Sequence, residues 1–333
     1  MNTLLIPLDG SALAEQVLPY ARALAPLLKS KIHLIRILTD VEPDAVFPET
    51  LFGVYGVAEP PEAFRQRTQR AWDERRHAAE GYLESRALDL REAGLHVTTE
   101  VLVGPPGQVI VEEAASQGAA LIVMATHGYS GLKRWRLGSV TEQVMHTTTT
   151  PVFAVRGALP PVSAAPALRR VLVPLDGSDL ARQALPLAIE LATAAQAELI
   201  LLEAVAPTIE AMASFRPLGR PLPQYGERLD LLRRQATRDL EALAAQLRDD
   251  GLRVQTVVMN GPAAEVIVDE AALREANLIV MATHGYSGLK RWALGSVAER
   301  VLHTATMPLV LVRAQAAQDD REKAVSSPLL VQR

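Results

Sequence analysis

The chain has 333 residues, of which 49% are hydrophobic and 22% are charged, and its formal net charge is −4. This composition is typical of a globular protein, and it lacks the basic excess of a nucleic-acid-binding surface. The sequence contains no cysteine, which excludes disulfides, zinc thiolates and thiol catalysis. The N-terminus does not resemble a signal peptide, and no apolar run reaches the ~20 residues of a membrane span. We therefore expect a cytoplasmic protein with neither a nucleic-acid nor a membrane partner.

A short apolar segment opens each half of the chain and ends in an Asp-Gly-Ser turn. Residues 4–8 and 171–175 have the pattern of buried strands. The serine that closes each turn is a preferred N-cap for the Ala/Leu-rich helix that follows. Pro19 and Pro186 lie at matching points of these helices, where we expect each to kink the axis or end a segment.

The same series of strands and helices continues in both halves. A second strand, 32–38 or 198–205, precedes a long Pro/Gly-rich stretch, 40–61 or 207–226, which is typical of a lid or mobile segment. A long charged helix, a third strand, a Gly-Pro turn, a shorter helix, a fourth strand, a last helix and a fifth strand follow. The order β-α-β-α-β-α-β-α-β predicts an α/β protein with helices on both faces of a parallel sheet.

This internal repeat predicts two tandem domains, residues 1–156 and residues 169–313. Residues 157–168 contain several proline and alanine residues and are predicted to form a linker stiffened by proline. Residues 314–333 are polar, and we expect a poorly ordered tail.

The most similar stretch of the two halves joins the fourth strand to the last helix. It runs from Met124 to Val140 and again from Met281 to Val297, and it differs only in Arg136 against Ala293. A Gly-containing loop before a helix presents backbone N–H groups to an anion. Surface loops usually diverge, so the near identity indicates a ligand rather than packing.

The aspartate that ends the first strand and the end of the second strand should lie beside this loop. Ligands of open parallel sheets bind beyond the carboxyl ends of the strands. Asp9 or Asp176 offers a carboxylate for ribose hydroxyls or an adenine amine. An apolar residue near Ile37 or Ala204 can flank a purine, and the loop can hold phosphates. The combination suits a nucleotide.

The spacing of the loop carries a family resemblance. Ala125-Thr-His-Gly128, nine further residues and Gly138-Ser139 resemble the Gly-x2-Gly-x9-Gly-(Ser/Thr) pattern of the universal stress protein family, and residues 282–296 repeat it. The chain resembles the tandem-domain form of that family except in the linker and tail. Ala125 and Ala282 depart from the pattern, because nucleotide-binding members have glycine there. The added methyl group either crowds the nucleotide or is accommodated at negative φ.

The resemblance implies two tandem Rossmann-like (adenine nucleotide α-hydrolase-like) domains, each with five parallel strands in the order 3-2-1-4-5. It implies ATP, or ADP or AMP, in each domain, with or without Mg²⁺, in a stress-response sensor or regulator rather than a fast enzyme. It also implies an internal pseudo-dimer through the fifth strands and allows a homodimer. The nucleotide-binding residues it implies are Asp9, Ile37, Met124, Ala125, Gly128, Gly138, Ser139 and Val140 in the first domain and Asp176, Ala204, Met281, Ala282, Gly285, Gly295, Ser296 and Val297 in the second.

Several of these residues also have a purely structural interpretation. Asp9 either binds nucleotide or only shapes its turn. Ser139 either contacts phosphate or caps its helix, since Glu142 gives it capping-box spacing. The loop histidines fit backbone-bonded residues better than acid–base catalysts. Lys133, Arg134 and Trp135 either serve the ligand or are ordinary loop residues.

Two other functions remain open from the sequence. The alanines in the motif are consistent with an interaction module that has lost nucleotide binding. A slow ATPase or nucleotidyl-transferring enzyme is the third hypothesis. A dehydrogenase and a P-loop enzyme are disfavoured, because neither Gly-x-Gly-x-x-Gly after the first strand nor Gly-x4-Gly-Lys-(Ser/Thr) occurs. No Ser-His-Asp set or metal-ligand spacing stands out, so we predict neither catalytic residues nor a protein metal site.

Overall fold

A computed structural model of the chain describes residues 2–39, 61–126, 138–156, 167–205, 223–283 and 294–314. The first half contains β1 (Asn2–Pro7), α1 (Ala12–Glu15), α2 (Leu18–Leu27), β2 (Ser30–Leu38), α3 (Pro61–Glu92), β3 (Val97–Val103), α4 (Pro106–Ser116), β4 (Ala119–Ala125), α5 (Ser139–Thr147) and β5 (Val152–Val155). The second half contains β6 (Arg170–Leu175), α6 (Asp179–Arg182), α7 (Leu185–Ala195), β7 (Glu198–Val205), α8 (Pro223–Asp249), β8 (Arg253–Asn260), α9 (Ala263–Leu273), β9 (Leu278–Ala282), α10 (Ser296–Thr304) and β10 (Leu309–Val312).

The ten strands of the described residues form one sheet, in the order β3-β2-β1-β4-β5-β10-β9-β6-β7-β8. Neighbouring strands of the same half run parallel. The two halves meet where β5 and β10 pair antiparallel, with Val310 opposite Phe153. The predicted α/β class, with a mostly parallel sheet and helices on it, is confirmed.

Two hydrophobic cores lie on opposite faces of the sheet, because successive strand residues point to opposite sides. Leu4 and Ile6 belong to one core, and Leu5 between them belongs to the other. Buried residues of α2, α3, α7 and α8 cover the first face, and those of α4, α5, α9 and α10 cover the second. Each core contains residues of both halves, so the halves are packed as well as hydrogen-bonded together.

The prolines explain where several helices begin. Pro19 lies in the first turn of α2, after α1 has ended, and Pro186 does the same in α7. Proline is tolerated there because the first N–H groups of a helix lack intrahelical partners. The prediction of an irregular stretch through residue 226 was wrong at its end, because α8 already begins at Pro223. The rest of both long stretches, residues 157–166 of the linker and residues 315–333 of the tail lie outside the described residues.

Candidate functional site

The Asp-Gly-Ser turns fix an exposed aspartate at the carboxyl ends of β1 and β6. Asp9 Oδ1 accepts a hydrogen bond from the Ser11 N–H at 2.8 Å, and Asp176 Oδ1 accepts one from the Ser178 N–H at 3.0 Å. The intervening glycines have φ values of +86° and +80°, which side chains other than glycine rarely adopt. The turn-shaping role is therefore present in both halves. It is compatible with ligand binding, because a carboxylate has about four acceptor sites.

The last helix of each half begins at the end of the fourth strand. Gly138 donates its N–H to the carbonyl of Thr126 at 2.9 Å, and Gly295 donates to Thr283 at the same distance. The glycines are the N-caps of α5 and α10, and no side chain of the described residues caps either helix. The interpretation of Ser139 as the N-cap of a capping box was wrong. The Gly138 N–H is bonded to the Thr126 carbonyl at the end of β4, and the helix begins one residue earlier than predicted, with Gly138 as its N-cap.

A cleft with a volume of about 210 Å³ opens at the carboxyl edge of the second half. Its walls come from the ends of β6, β7 and β9, from α6, and from the starts of α9 and α10. Seven of the eight residues that the sequence predicted for this half line it: Asp176, Ala204, Met281, Ala282, Gly295, Ser296 and Val297. The eighth, Gly285, lies outside the described residues.

The other seven lining residues of this cleft were not predicted as site residues from the sequence: Pro174, Leu175, Ala181, Ala263, Ile267, Thr283 and Ala298. Ala263 and Ile267 belong to α9, and Thr283 follows β9 directly. The Gly-Pro turn before α9 was visible in the sequence, and a turn after a parallel strand must lie at the carboxyl edge. That reasoning would have placed the start of α9 in the site.

The first half has the same framework. β1 pairs with β2 on one side and with β4 on the other, which brings Asp9, Ile37 and Ala125 to one edge of the sheet. The Thr141 hydroxyl donates to the carbonyl of Ala125 at 3.1 Å and ties α5 to β4. The starting residues of α5, Gly138, Ser139 and Val140, therefore lie next to buried Met124 and Ala125.

The motif alanines occupy unstrained backbone positions. Ala125 and Ala282 are not among the described non-glycine residues with positive φ, so no glycine is required there for conformational reasons. Both are buried, with exposures of 8% and 7%. The predicted loop residues Gly128, His127, Lys133, Arg134 and Trp135, and their second-half counterparts, lie outside the described residues.

The family model of the universal stress proteins matches residues 1–156 and again residues 167–313. The chain belongs to the universal stress protein family. It carries the family's domain twice, as the resemblance implied.

Individual relatives agree with this assignment. A universal stress protein of Bacillus subtilis is 31% identical over 146 residues, which are 43% of this chain and 98% of that protein. One of Mycobacterium bovis is 30% identical over 224 residues, 66% of this chain and 70% of that protein. The crystal structure of a universal stress protein from Archaeoglobus fulgidus covers 96% of this chain and 97% of its own, with 20% identity and a TM-score of 0.65, and supports the shared fold. None of the described helices is long and apolar enough to cross a bilayer.

The two universal stress protein domains carry opposite charges beside their aspartate turns. Arg36 of β2 places its guanidinium over Gly10, where a Cβ would lie 3.2 Å from Nη2, and it stacks on the Tyr82 ring at 4.9 Å. Glu203 occupies the matching position of β7. Ile35, which precedes Arg36, pairs with Pro7 of β1, and Leu202, which precedes Glu203, pairs in the same way with Pro174 of β6. Burial, with the neighbouring Asp176 and Asp239 carboxylates, raises the pKa of Glu203 to about 6.

Replacing Glu203 with glutamine is expected to make the protein more stable above pH 6 and to flatten the dependence of its stability on pH. A carboxyl group with a raised pKa in the folded state stabilises that state fully below its unfolded pKa, and this contribution is lost as pH rises through about 6. Urea midpoints at pH 5 and pH 8 measure the effect. Exposed Asp269 provides the control: Asp269→Asn should keep the wild-type pH dependence, and a Glu203→Gln variant that also keeps it would contradict the assignment.

Proposed function

We propose that each domain binds ATP or another adenine nucleotide, and that the protein is a stress-response sensor or regulator rather than a fast enzyme. The observation that carries the proposal is the second-domain cleft, in which seven of the predicted residues meet at the carboxyl ends of the strands. We assign the domains to residues 1–156 and 169–313, joined by a linker of residues 157–168 and followed by a tail of residues 314–333. We also propose a cytoplasmic location.

The residues of the cleft suit the three parts of a nucleotide. The carboxylate of Asp176 accepts hydrogen bonds from ribose hydroxyls or the adenine amine. Ala204 and Met281 provide an apolar wall for the purine. Gly295 and Ser296 begin α10, whose N-terminal N–H groups and dipole favour phosphate. In the first domain we assign the matching roles to Asp9, Ile37, Met124, Gly138 and Ser139. The proposed sets are completed by Ala125, Gly128 and Val140 in the first domain and by Ala282, Gly285 and Val297 in the second.

We propose that any hydrolysis of ATP by this protein is slow. Phosphoryl transfer requires a positioned nucleophile and charge stabilisation, often by Mg²⁺. The described residues of the cleft provide a single carboxylate, Asp176, and otherwise apolar or small side chains. Mg²⁺ would enter with the nucleotide phosphates and not through a dedicated set of protein ligands.

Calorimetric titration of the whole chain with ATP, ADP and AMP, with and without Mg²⁺, tests the proposal. We expect two binding events per chain. The absence of binding at millimolar nucleotide would overturn the proposal and leave the interaction module as the better hypothesis. The same preparation tests whether the protein is an ATPase. Linear phosphate release that is abolished in Asp9→Ala and Asp176→Ala would establish this activity. A rate of phosphate release equal to that in buffer alone would exclude it.

We further propose that the two domains act as an internal pseudo-dimer and that two chains can associate as a homodimer. Support for the pseudo-dimer comes from the antiparallel pairing of β5 with β10. Arg313 also reaches across, because its Nη1 donates to the carbonyls of His146 and Thr148 at 2.9 and 3.1 Å. Sedimentation of the chain over a range of concentrations, with and without ATP, distinguishes monomer from homodimer.

A further inference from the structure

A histidine and two glutamates of the first domain meet at a place that the nucleotide site does not use. His33 lies on β2, Glu100 on β3 and Glu113 on α4, and His33 is only 4% exposed. Its Nε2 atom lies 3.5 Å from Glu100 Oε2 and 3.3 Å from Glu113 Oε1. This buried nitrogen has no hydrogen-bond partner, which is costly unless something else satisfies it.

The other ring nitrogen of His33 is held by Thr98. Nδ1 lies 2.8 Å from the Thr98 hydroxyl, and that hydroxyl donates to the carbonyl of Ile32 at 3.4 Å. A hydroxyl has one proton, so this arrangement suits the tautomer in which Nδ1 donates to Thr98 and Nε2 carries the lone pair. In that tautomer Nε2 and two carboxylate oxygens face one another, and a cation between them would relieve their repulsion.

The distances between these atoms favour a metal ion over a proton. A protonated imidazole would form charge-assisted hydrogen bonds of about 2.7–2.9 Å to carboxylate oxygens. Ligands that hold Zn²⁺ tetrahedrally at about 2.0–2.2 Å lie about 3.3–3.5 Å from one another. The observed separations of 3.3 and 3.5 Å match the second geometry, and all three ligand atoms lie within 4.8 Å of one another.

Neighbouring side chains hold the ligands in place. Glu113 Oε1 accepts a hydrogen bond from Gln117 Nε2 at 2.8 Å, and Glu113 Oε2 accepts one from the Ser116 hydroxyl at 3.0 Å. Lys31 donates to the amide oxygen of Gln117 at 3.5 Å, which turns the amide nitrogen toward Glu113. Such supporting bonds to histidine and carboxylate ligands are typical of metal sites. Glu100 is 47% exposed, so water can reach the fourth position.

We propose that the first domain binds one divalent transition metal ion, best suited to Zn²⁺, through His33 Nε2, Glu100 and Glu113. The metal site is separate from the proposed nucleotide site of this domain. His33 precedes Ile37 by four residues, so the two residues lie about 13 Å apart along β2. The metal site requires no bound nucleotide.

The second domain lacks this site and so provides an internal control. His33 pairs with Leu5 of β1, and Ile200 pairs in the same way with Leu172 of β6, so Ile200 occupies the position of His33. Glu100 pairs with Ile35, and Val257 pairs in the same way with Leu202, so Val257 occupies the position of Glu100. Glu270 takes the place of Glu113, but its carboxylate binds Arg274 at 2.8 Å. The chain thus shows that isoleucine and valine fit these two positions of the fold.

The experiment uses the full chain, freed of metal by dialysis against chelator, and titrates ZnSO4 without nucleotide. We expect one Zn²⁺ per chain and a rise in melting temperature. His33→Ile and the double variant His33→Ile, Glu100→Val copy the second domain, so they should fold. We expect them to bind Zn²⁺ at least about 100-fold more weakly and to lose the rise. Glu270→Gln is the matched control and should bind as the wild type does.

Two outcomes of the zinc titration would overturn the proposal. One is a wild-type chain that binds no Zn²⁺. The other is a double variant that keeps the wild-type stoichiometry and affinity, which would place the metal on surface histidines. Substituting Co²⁺ adds a spectroscopic readout, because visible bands of a tetrahedral ion should appear in the wild type and disappear in His33→Ile. Bands of equal intensity in both would also contradict the assignment.

Discussion

Replacing Phe153 with alanine is expected to lower the free energy of unfolding by about 3–5 kcal/mol. Phe153 is 2% exposed and lies in β5, opposite Val310 of β10. Its ring centroid is 5.5 Å from that of Tyr20 in a tilted arrangement. Alanine would leave a cavity at the junction of the two domains, in a core that contains residues of both. The loss should therefore affect the whole chain.

Urea denaturation followed by circular dichroism measures this change. Leu273→Ala is a suitable control, because Leu273 is 74% exposed and surface substitutions usually change stability by less than about 0.5 kcal/mol. If the Phe153→Ala and Leu273→Ala variants have the same urea midpoint, the junction does not contribute to stability as described.

The second large effect concerns nucleotide binding. Gly295→Val is expected to weaken one of the two binding events about 10- to 100-fold, and Gly138→Val the other. This is the range given by losing a charge-assisted hydrogen bond. The glycine before α10 has φ −63° and ψ 145°, values that valine readily adopts. The substitution should therefore preserve the fold while its side chain enters the cleft and blocks the helix N-terminus.

Calorimetry with ATP gives the stoichiometry and affinity of each variant. Gly81→Ala is the control: Gly81 lies inside α3, and a Cβ there would contact nothing within 4 Å, so both binding events should remain. Two undiminished sites in the Gly138→Val, Gly295→Val double variant would show that the nucleotide binds elsewhere.

Much of the fold could be predicted, because the sequence features that indicate strands, helices and turns are local. Apolar strands, proline and glycine positions and the repeat predicted the α/β class. The same signals grouped Asp176, Ala204 and Gly295, since parallel strands bring their carboxyl ends to one edge. The N-cap position of Gly138 did not follow, because it depends on a hydrogen bond to Thr126 across the site.

The histidine and glutamate cluster could not be predicted for a related reason. His33, Glu100 and Glu113 are distant in sequence and have no metal-motif spacing. The register of β2 against β3 and the packing of α4 on them bring the three side chains together. Comparison of the two halves would have provided a hint, since Ile200 and Val257 are ordinary strand residues where the first half has His33 and Glu100.

The antiparallel junction of β5 and β10 also determines how the two proposed nucleotide sites are related. Each half is internally parallel, so the carboxyl ends of its strands point in the direction opposite to those of the other half. The helices at both sites belong to the same core, so the sites share one face of the sheet. Two nucleotides bound there cannot share phosphates or a metal ion. Any cooperativity between them has to pass through the junction, and Phe153→Ala should weaken it.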